Sequence, residues 1–318
     1  MSASLPIWLN IFSQIVVIFL LSQLSLSLVW YFSKSSIRAM RSQWQYFLLW
    51  LMVSLPWLIS ISCFLLAMNN DAWPPDNNFL QPYFHWHHPF SFSWQSWHGL
   101  SLITSLLICV YLCGKAYTIA HNYKKQDAKR RILSQLTCNQ HGHFEHVQAL
   151  AFTSGLLRPN IYISTGLAQQ LSPSELAIVK LHEQAHANSY DPLQKWLFLL
   201  AASFFPRIIA RQLMSTMNLN MELRADQKVA QQHDVLNIAE ALIKVARVMN
   251  SPSQQVEQRL QYLITPPPNF FSALFWKKTL ALPIFVLLLQ LSLPLLTVVF
   301  GMDFFHHLFD QWLWHFTS

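Results

Sequence analysis

The chain has 318 residues, of which 53% are hydrophobic and only 11% are charged, and its formal net charge is +7. A soluble globular domain carries about 25% charged residues. The composition therefore excludes an ordinary soluble protein and predicts a membrane protein with one modest soluble domain. The basic excess gives little reason to expect direct nucleic-acid binding.

Four apolar runs each approach the roughly 20 residues that a membrane-spanning helix requires. They cover Ile7–Phe32, Tyr46–Met68, Leu100–Ala120 and Leu280–Phe300. The first is too long and too rich in Gln and Ser for a cleavable signal peptide, so we expect it to be retained. The predicted fold class is a mainly α membrane protein with about four transmembrane helices in the lipid bilayer.

These runs divide the chain into four predicted parts. We expect a membrane region over residues 1–120, a soluble domain over 121–276, a fourth span over 277–301 and a short tail over 302–318. Basic residues fall between the first two spans, at Lys34, Arg38 and Arg41, and from Lys115 to Lys278. By the positive-inside rule, both termini lie outside and the soluble domain is cytosolic.

Histidines are concentrated in the predicted exported segments, namely the loop 69–99 and the tail. They bind copper or zinc, or titrate as the pH falls, or belong to a short polar loop that happens to contain histidine, which is the simpler interpretation. The candidates for an exported metal-sensing cluster are His85, His87, His88, His98, His306 and His307.

The central motif of the soluble domain is His182-Glu183-Gln184-Ala185-His186. On a helix, His182 and His186 project from one face and can share a zinc ion, and Glu183 is the general-base candidate. The preceding residues Ser172-Pro173-Ser174-Glu175 predict a capping box, with Ser172 as N-cap and Pro173 as the first helical residue.

A third metal ligand is predicted at Glu222, on a later helix. Asp226 lies one turn further on and can accept a hydrogen bond from the second nitrogen of a ligand histidine. The alternative is a solvated acidic helix face paired with Arg224 and Lys228. With two histidines upstream, we favour the metal interpretation.

The remaining segments predict a small sheet and more helices. Val147–Phe152 and Asn160–Ser164 predict two paired strands joined by a turn, which can offer an edge to an extended peptide. Trp196–Ala210, which Pro206-Arg207 interrupts, predicts a buried or membrane-apposed helix, and the helical pattern continues from Asp226 to Met249. Ser251–Pro268 predicts a loose, Pro-rich connector.

These motifs together resemble peptidase family M56, the BlaR/MecR-type membrane metallopeptidases. The resemblance covers about residues 100–280 and is carried by Gly155–Ser164, Leu171-Ser172-Pro173, the His182–His186 motif followed by Asp191-Pro192, and Glu222–Asp226. It implies a cytosolic α+β gluzincin-type domain in the bacterial cytoplasmic membrane. In it His182, His186 and Glu222 hold Zn²⁺ and Glu183 is the catalytic base.

The resemblance also implies signalling: an external signal triggers cleavage of the receptor itself and loss of a BlaI/MecI-type transcriptional repressor. The penicillin-binding sensor domain of the β-lactam receptors has no counterpart after the last predicted span. Two alternatives stay open. One is a quality-control protease resembling family M48, which shares the same catalytic residues, and the other is a non-catalytic metal-sensing receptor.

Overall fold

A computed structural model describes residues 4–68, 97–136, 144–249, 253–267 and 288. Within them the chain is mostly helical and contains one two-stranded sheet, as the predicted fold class requires. The elements are α1 (Ser4–Arg38), α2 (Ser42–Met68), α3 (Trp97–Leu136), β1 (Ala151–Ser154), β2 (Asn160–Ile163), α4 (Thr165–Ala168), α5 (Pro173–Asn188), α6 (Asp191–Ala202), α7 (Arg207–Val229), α8 (Val235–Val248) and α9 (Ser253–Ile264).

Three of the described helices are long and apolar enough to cross a membrane. The qualifying stretches are Ile15–Arg38, Ser42–Leu65 and Leu102–Lys129. They overlap the first three predicted spans and extend further into the basic flanks. The predicted fourth span, Leu280–Phe300, lies outside the described residues except for Leu288, as does the tail.

The chain divides into two compact units. The first contains α1 as far as Ser33, α2 from Met52 and α3 as far as Gly114. Aromatic contacts pack α1 against α2 there, with the rings of Phe19 and Trp57 4.7 Å apart. The second unit contains residues Lys34–Leu51 and Lys115–Phe275, including the sheet and α4–α9.

The sheet of the second unit is a short antiparallel hairpin. Ala151 pairs with Ile163 and Ser154 with Asn160, so the first strand begins four residues later than predicted. Gly155 has a φ of 113°, and a Cβ atom at this position would overlap the carbonyl oxygen of Arg158. The turn therefore requires glycine.

Helix α5 lies between the two hydrophobic clusters of the second unit. Val179 packs with the sheet and α4, whereas Ile178 packs with Val229 and Ile238 on α7 and α8. Apolar contacts on both flanks fix the helix within the domain, and the position of the helix fixes its histidine face.

One predicted segment differs from the structure. The connector predicted over Ser251–Pro268 is wrong, because Ser253–Ile264 form helix α9. The segment Trp196–Ala210 is interrupted at Pro206-Arg207, as predicted, with α6 ending at Ala202. The chain breaks before Pro206, which has no backbone N–H to continue the hydrogen-bond ladder, and α7 begins at Arg207.

Candidate metal centre

Helix α5 begins with the capping box that its sequence predicts. The Ser172 hydroxyl accepts a hydrogen bond from the backbone N–H of Glu175. The backbone N–H of Ser172 donates to Oε2 of Glu175 at 2.7 Å. Lys244 of α8 donates to the same carboxylate oxygen at 2.6 Å. The start of the helix is thus fixed both locally and to its neighbour.

His182 and His186 face each other on consecutive turns of α5. Their Nε2 atoms are 3.1 Å apart, and their rings are nearly perpendicular, at 84°. Both side chains are largely buried, with exposed fractions of 14% and 12%. The spacing of four residues has brought two ring nitrogens to one point, as the motif predicts.

A separate carboxylate orients each imidazole. Nδ1 of His182 lies 3.0 Å from Oδ1 of Asp226 on α7, and Nδ1 of His186 lies 2.6 Å from Oδ2 of Asp191 at the start of α6. A carboxylate can only accept, so each Nδ1 carries the proton. In the neutral ring, the Nε2 lone pair then points into the shared space, as a metal ligand requires.

Glu222 completes the group from helix α7. Its Oε2 atom is 3.3 Å from Nε2 of His182, and its Oε1 atom is 3.7 Å from Nε2 of His186. Ligands of a tetrahedral zinc ion at 2.0–2.1 Å lie about 3.3 Å from one another. Among the described residues, these three side chains are the group of His, Cys, Asp and Glu that could hold a metal ion.

The charges of the site also fit a divalent cation. Four carboxylates, those of Glu183, Asp191, Glu222 and Asp226, surround the imidazole pair, with one guanidinium, that of Arg259, beside them. Buried charges of one sign are costly unless cations balance them. One divalent ion would neutralise most of the excess, so the donor set and its charge both suit zinc.

Arg259 on α9 belongs to this site, although the sequence analysis did not identify it. Its Nε and Nη2 atoms donate to Oδ2 and Oδ1 of Asp226 at 2.7 and 2.6 Å. Its Nη1 atom lies 3.0 Å from Oε2 of Glu222. The apolar residues Val256, Leu260 and Leu263 recur at helical spacing and could have revealed the helix that carries this arginine.

These contacts fix the protonation of the metal-free site. Burial alone would lower the pKa of His182, but hydrogen bonds to Asp226 and Glu222 outweigh it and raise this pKa to about 10. Burial likewise raises the pKa of both carboxyls. However, the hydrogen bonds from His182 and the charge of Arg259 lower the pKa of Glu222 and Asp226 below their ordinary values.

Glu183 is buried on α5, with only 8% of its surface exposed. The hydroxyl of Thr153 on β1 lies 2.8 Å from its Oε2 atom and 3.0 Å from its backbone oxygen. Glu183 is therefore held against the sheet, and it is not one of the three grouped ligands. Thr153 is a second residue of the site that the sequence analysis did not identify.

Beside the metal group is a cavity of about 270 Å³, into which His182, Glu183, Glu222, Asp226 and Arg259 all face. The rest of its wall is mostly apolar, with Ile178, Val179, Ile238, Leu242, Val245 and Val256 among the lining residues. Glu222 is the most open of the three grouped side chains, at 37% exposed. A substrate can therefore approach the group from this cavity.

The exported histidine cluster stays a prediction. His85, His87, His88, His306 and His307 fall outside the described residues, and the side chain of His98 is not described. The competing interpretation of Glu222 and Asp226, as an acidic face paired with Arg224 and Lys228, differs from the observed contacts. Arg224 lies over the ring of Tyr46, and Lys228 donates to Ser189.

The comparison with protein families gives one match relevant to this site. The model of Peptidase family M48 matches residues 129–259, a range that runs from the end of α3 through the hairpin, α5 and α7 to Arg259. No curated protein and no solved structure matches the chain. The resemblance to family M56 is not shown. The part of the chain that holds the candidate metal centre is thus similar to a family of membrane-associated zinc metallopeptidases.

Proposed function

We propose that this protein is an integral membrane zinc metalloendopeptidase that hydrolyses peptide bonds of protein substrates at the cytosolic face of the membrane. The observation that carries the proposal is the convergence of His182, His186 and Glu222, with Glu183 lining the same cavity as His182 and Glu222. The match to family M48 and the three candidate spans support the same class.

Different residues of the chain would have different roles in the reaction. His182, His186 and Glu222 would hold zinc, which when bound supplies Lewis-acid activation of a water molecule and of the scissile carbonyl. Glu183 takes the proton from the attacking water and delivers it to the leaving amine nitrogen. Thr153 orients the Glu183 carboxylate for both transfers.

Arg259 has a supporting role in this scheme. Its planar guanidinium group donates hydrogen bonds to both carboxylate oxygens of Asp226. Asp226 in turn orients His182. The same guanidinium contacts Glu222. One side chain thus fixes a ligand and the partner of a second ligand, and its positive charge keeps both carboxyl groups ionised.

Two substrate classes are compatible with this chemistry. The family match favours quality control, in which the enzyme degrades damaged membrane proteins. The motif order and the arrangement of spans around a domain favour a dedicated target in signalling, namely the chain itself or a BlaI/MecI-type repressor. We favour the endopeptidase activity common to both, with quality control as the better supported use.

The activity is tested on the full chain purified in detergent and supplied with an unfolded protein substrate. We expect the wild-type chain to cleave this substrate. Addition of 1,10-phenanthroline should abolish the cleavage, and zinc should restore it. The Glu183→Gln variant should not cleave the substrate. A zinc-loaded wild-type chain with no cleavage activity would favour the non-catalytic receptor instead. To separate the substrate classes, cleavage of a casein-like substrate is compared with cleavage of a winged-helix repressor from the same genome, and self-cleavage is followed by mass spectrometry.

A further inference from the structure

The segment that joins α1 to α2 packs on the helices that carry the candidate metal centre. We call residues 38–46 the α1–α2 turn. From sequence, its basic residues are only an indicator of topology. In the structure, however, the turn belongs to the second unit together with α5, α7 and α9. Its buried polar residues, Ser42 and Gln45, are hydrogen-bonded to α7, and Ser42 also to α9.

The turn contacts α7 on both sides of Glu222 and Asp226. Asn220, two residues before Glu222, donates from Nδ2 to the backbone oxygen of Ser42 at 2.8 Å and to Oε1 of Gln45 at 3.0 Å. The Ser42 hydroxyl donates to Oε1 of Gln227, directly after Asp226, at 2.7 Å. The turn therefore brackets the part of α7 that carries both carboxylates.

The same serine is also bonded to α9. The backbone N–H of Ser42 donates to the Tyr262 hydroxyl oxygen at 2.7 Å. Tyr262 lies three residues after Arg259, so both side chains project from adjacent positions on α9. The N–H, carbonyl and hydroxyl groups of Ser42 thus all form hydrogen bonds to α7 or α9. These are the two helices that carry Glu222, Asp226 and Arg259.

The burial of these groups makes the arrangement specific. Ser42 and Asn220 are 0% exposed and Gln45 is 2% exposed. A buried donor or acceptor that loses its partner is destabilising, so α7 cannot slide along the turn without breaking several hydrogen bonds. Gln45 also donates to the backbone oxygen of Arg38 at 2.7 Å, which closes the turn on itself.

We propose that the α1–α2 turn positions the metal centre, with Ser42 and Asn220 as positioning residues that act through Glu222, Asp226 and Arg259. This proposal rests on the proposed function, since it assigns zinc to the site. Because α1 and α2 continue from this turn as candidate membrane spans, a displacement of either helix at the turn changes the geometry of the zinc ligands.

The test uses the full-length protein in detergent or nanodiscs and the variants Asn220→Ala and Ser42→Ala. Zinc affinity is measured by competition with a chelator, the visible spectrum is recorded after cobalt substitution, and unfolding of the metal-free chain is followed by melting. The matched control is Ser203→Ala, the same chemical change at another buried serine. It removes one hydroxyl hydrogen bond of 2.7 Å to the backbone oxygen of Leu200 at the end of α6, outside the turn, α7 and α9.

We expect Asn220→Ala to weaken zinc binding by about 10–100-fold, the effect typical of residues that orient metal ligands, and to alter the cobalt spectrum. Ser42→Ala changes both in the same direction by a smaller factor, because only one of its three links is lost. Ser203→Ala stays within about twofold of the wild type. If Asn220→Ala does not fold, the proposal is tested with Ser42→Ala alone, which deletes a single oxygen atom.

The proposal is overturned if these variants bind zinc as tightly as Ser203→Ala and keep the wild-type cobalt spectrum, whether or not their melting temperature falls. That result would assign the turn a structural role alone. A wild-type chain that binds no zinc would instead overturn the proposed function, and the two failures are therefore distinguishable.

Discussion

Asp191 accepts a hydrogen bond from Nδ1 of His186 at 2.6 Å, although the two residues belong to different helices. The contact depends on Tyr190, whose φ of 53° lies in the left-handed region that residues other than glycine rarely adopt. Tyr190 reverses the direction of the chain between α5 and α6. Asp191 therefore lies next to His186, five residues before it in the sequence.

The first prediction concerns the carboxylates behind the two imidazoles. Asp191→Asn and Asp226→Asn should each weaken zinc binding by about 10–100-fold, because a neutral amide orients the imidazole less strongly than a carboxylate does. Asp226→Asn should have the larger effect, since it also releases Arg259. Chelator competition measures both affinities.

Asp127→Asn provides the matched control for this pair. Asp127 accepts hydrogen bonds from Ser154 and Gly155, away from the metal group. Its variant should bind zinc like the wild type. Equal zinc affinities for Asp191→Asn and Asp127→Asn would show that His186 needs no carboxylate partner.

The second prediction concerns pH. The pKa of His182 is raised from 6.5 to about 10 in the metal-free chain, and zinc requires the unprotonated Nε2 atom. Zinc binding should therefore release a proton below about pH 10. The apparent affinity should rise by about tenfold for each unit of pH towards that value and then level off.

Calorimetric titration of zinc in buffers of different ionisation enthalpy measures this proton release directly. About one proton per zinc ion is expected at pH 7.5. An apparent affinity that does not change between pH 7 and pH 9 would mean that His182 is already neutral in the metal-free site.

The third prediction separates catalysis from metal binding. Glu183→Gln should remain folded and bind one zinc ion per chain, because Glu183 is not among the three grouped ligands. Its peptidase activity should fall by at least about 10²–10⁴-fold, the usual contribution of a general base. Metal content and cleavage rate are measured on the same sample.

Glu175→Gln, on the same helix, is the control for that variant. A glutamine can still complete the capping box, so only the charge interaction with Lys244 is lost. Its melting temperature should fall slightly while its activity stays near that of the wild type. Substantial cleavage by Glu183→Gln would assign the base to another residue.

The fourth prediction concerns Arg259. Arg259→Lys keeps the positive charge but cannot form the two parallel hydrogen bonds to Asp226. We expect kcat/KM and zinc affinity both to fall by about 10-fold or more. Arg247→Lys on α8 makes the same chemical change outside the metal group and should leave both unchanged. A fully active Arg259→Lys would limit the role of this side chain to its charge.

The sequence predicted the parts of the site that depend on local rules. The capping box at Ser172 and the helical spacing of His182 and His186 follow from local geometry alone. Glu222 was predicted because its helix carries a second acidic residue one turn later. Each of these patterns spans only a few consecutive residues of the sequence.

The parts that sequence analysis missed depend on contacts between distant segments. Arg259 reaches Asp226 across 33 residues, and the prolines after α9 favoured a connector over a helix. Ser42 and Asn220 are 178 residues apart, and no periodicity indicates that such polar residues face each other. Only the packing of α7 and α9 against the α1–α2 turn brings these groups together.

The most direct test of the account is zinc-edge X-ray absorption spectroscopy on the zinc-loaded full-length protein. We expect a four-coordinate site with two imidazole nitrogens and oxygen ligands at about 2.0–2.2 Å, and a changed spectrum in Glu222→Gln. A zinc environment without imidazole scattering, or one unchanged by Glu222→Gln, would contradict the assignment of this metal centre.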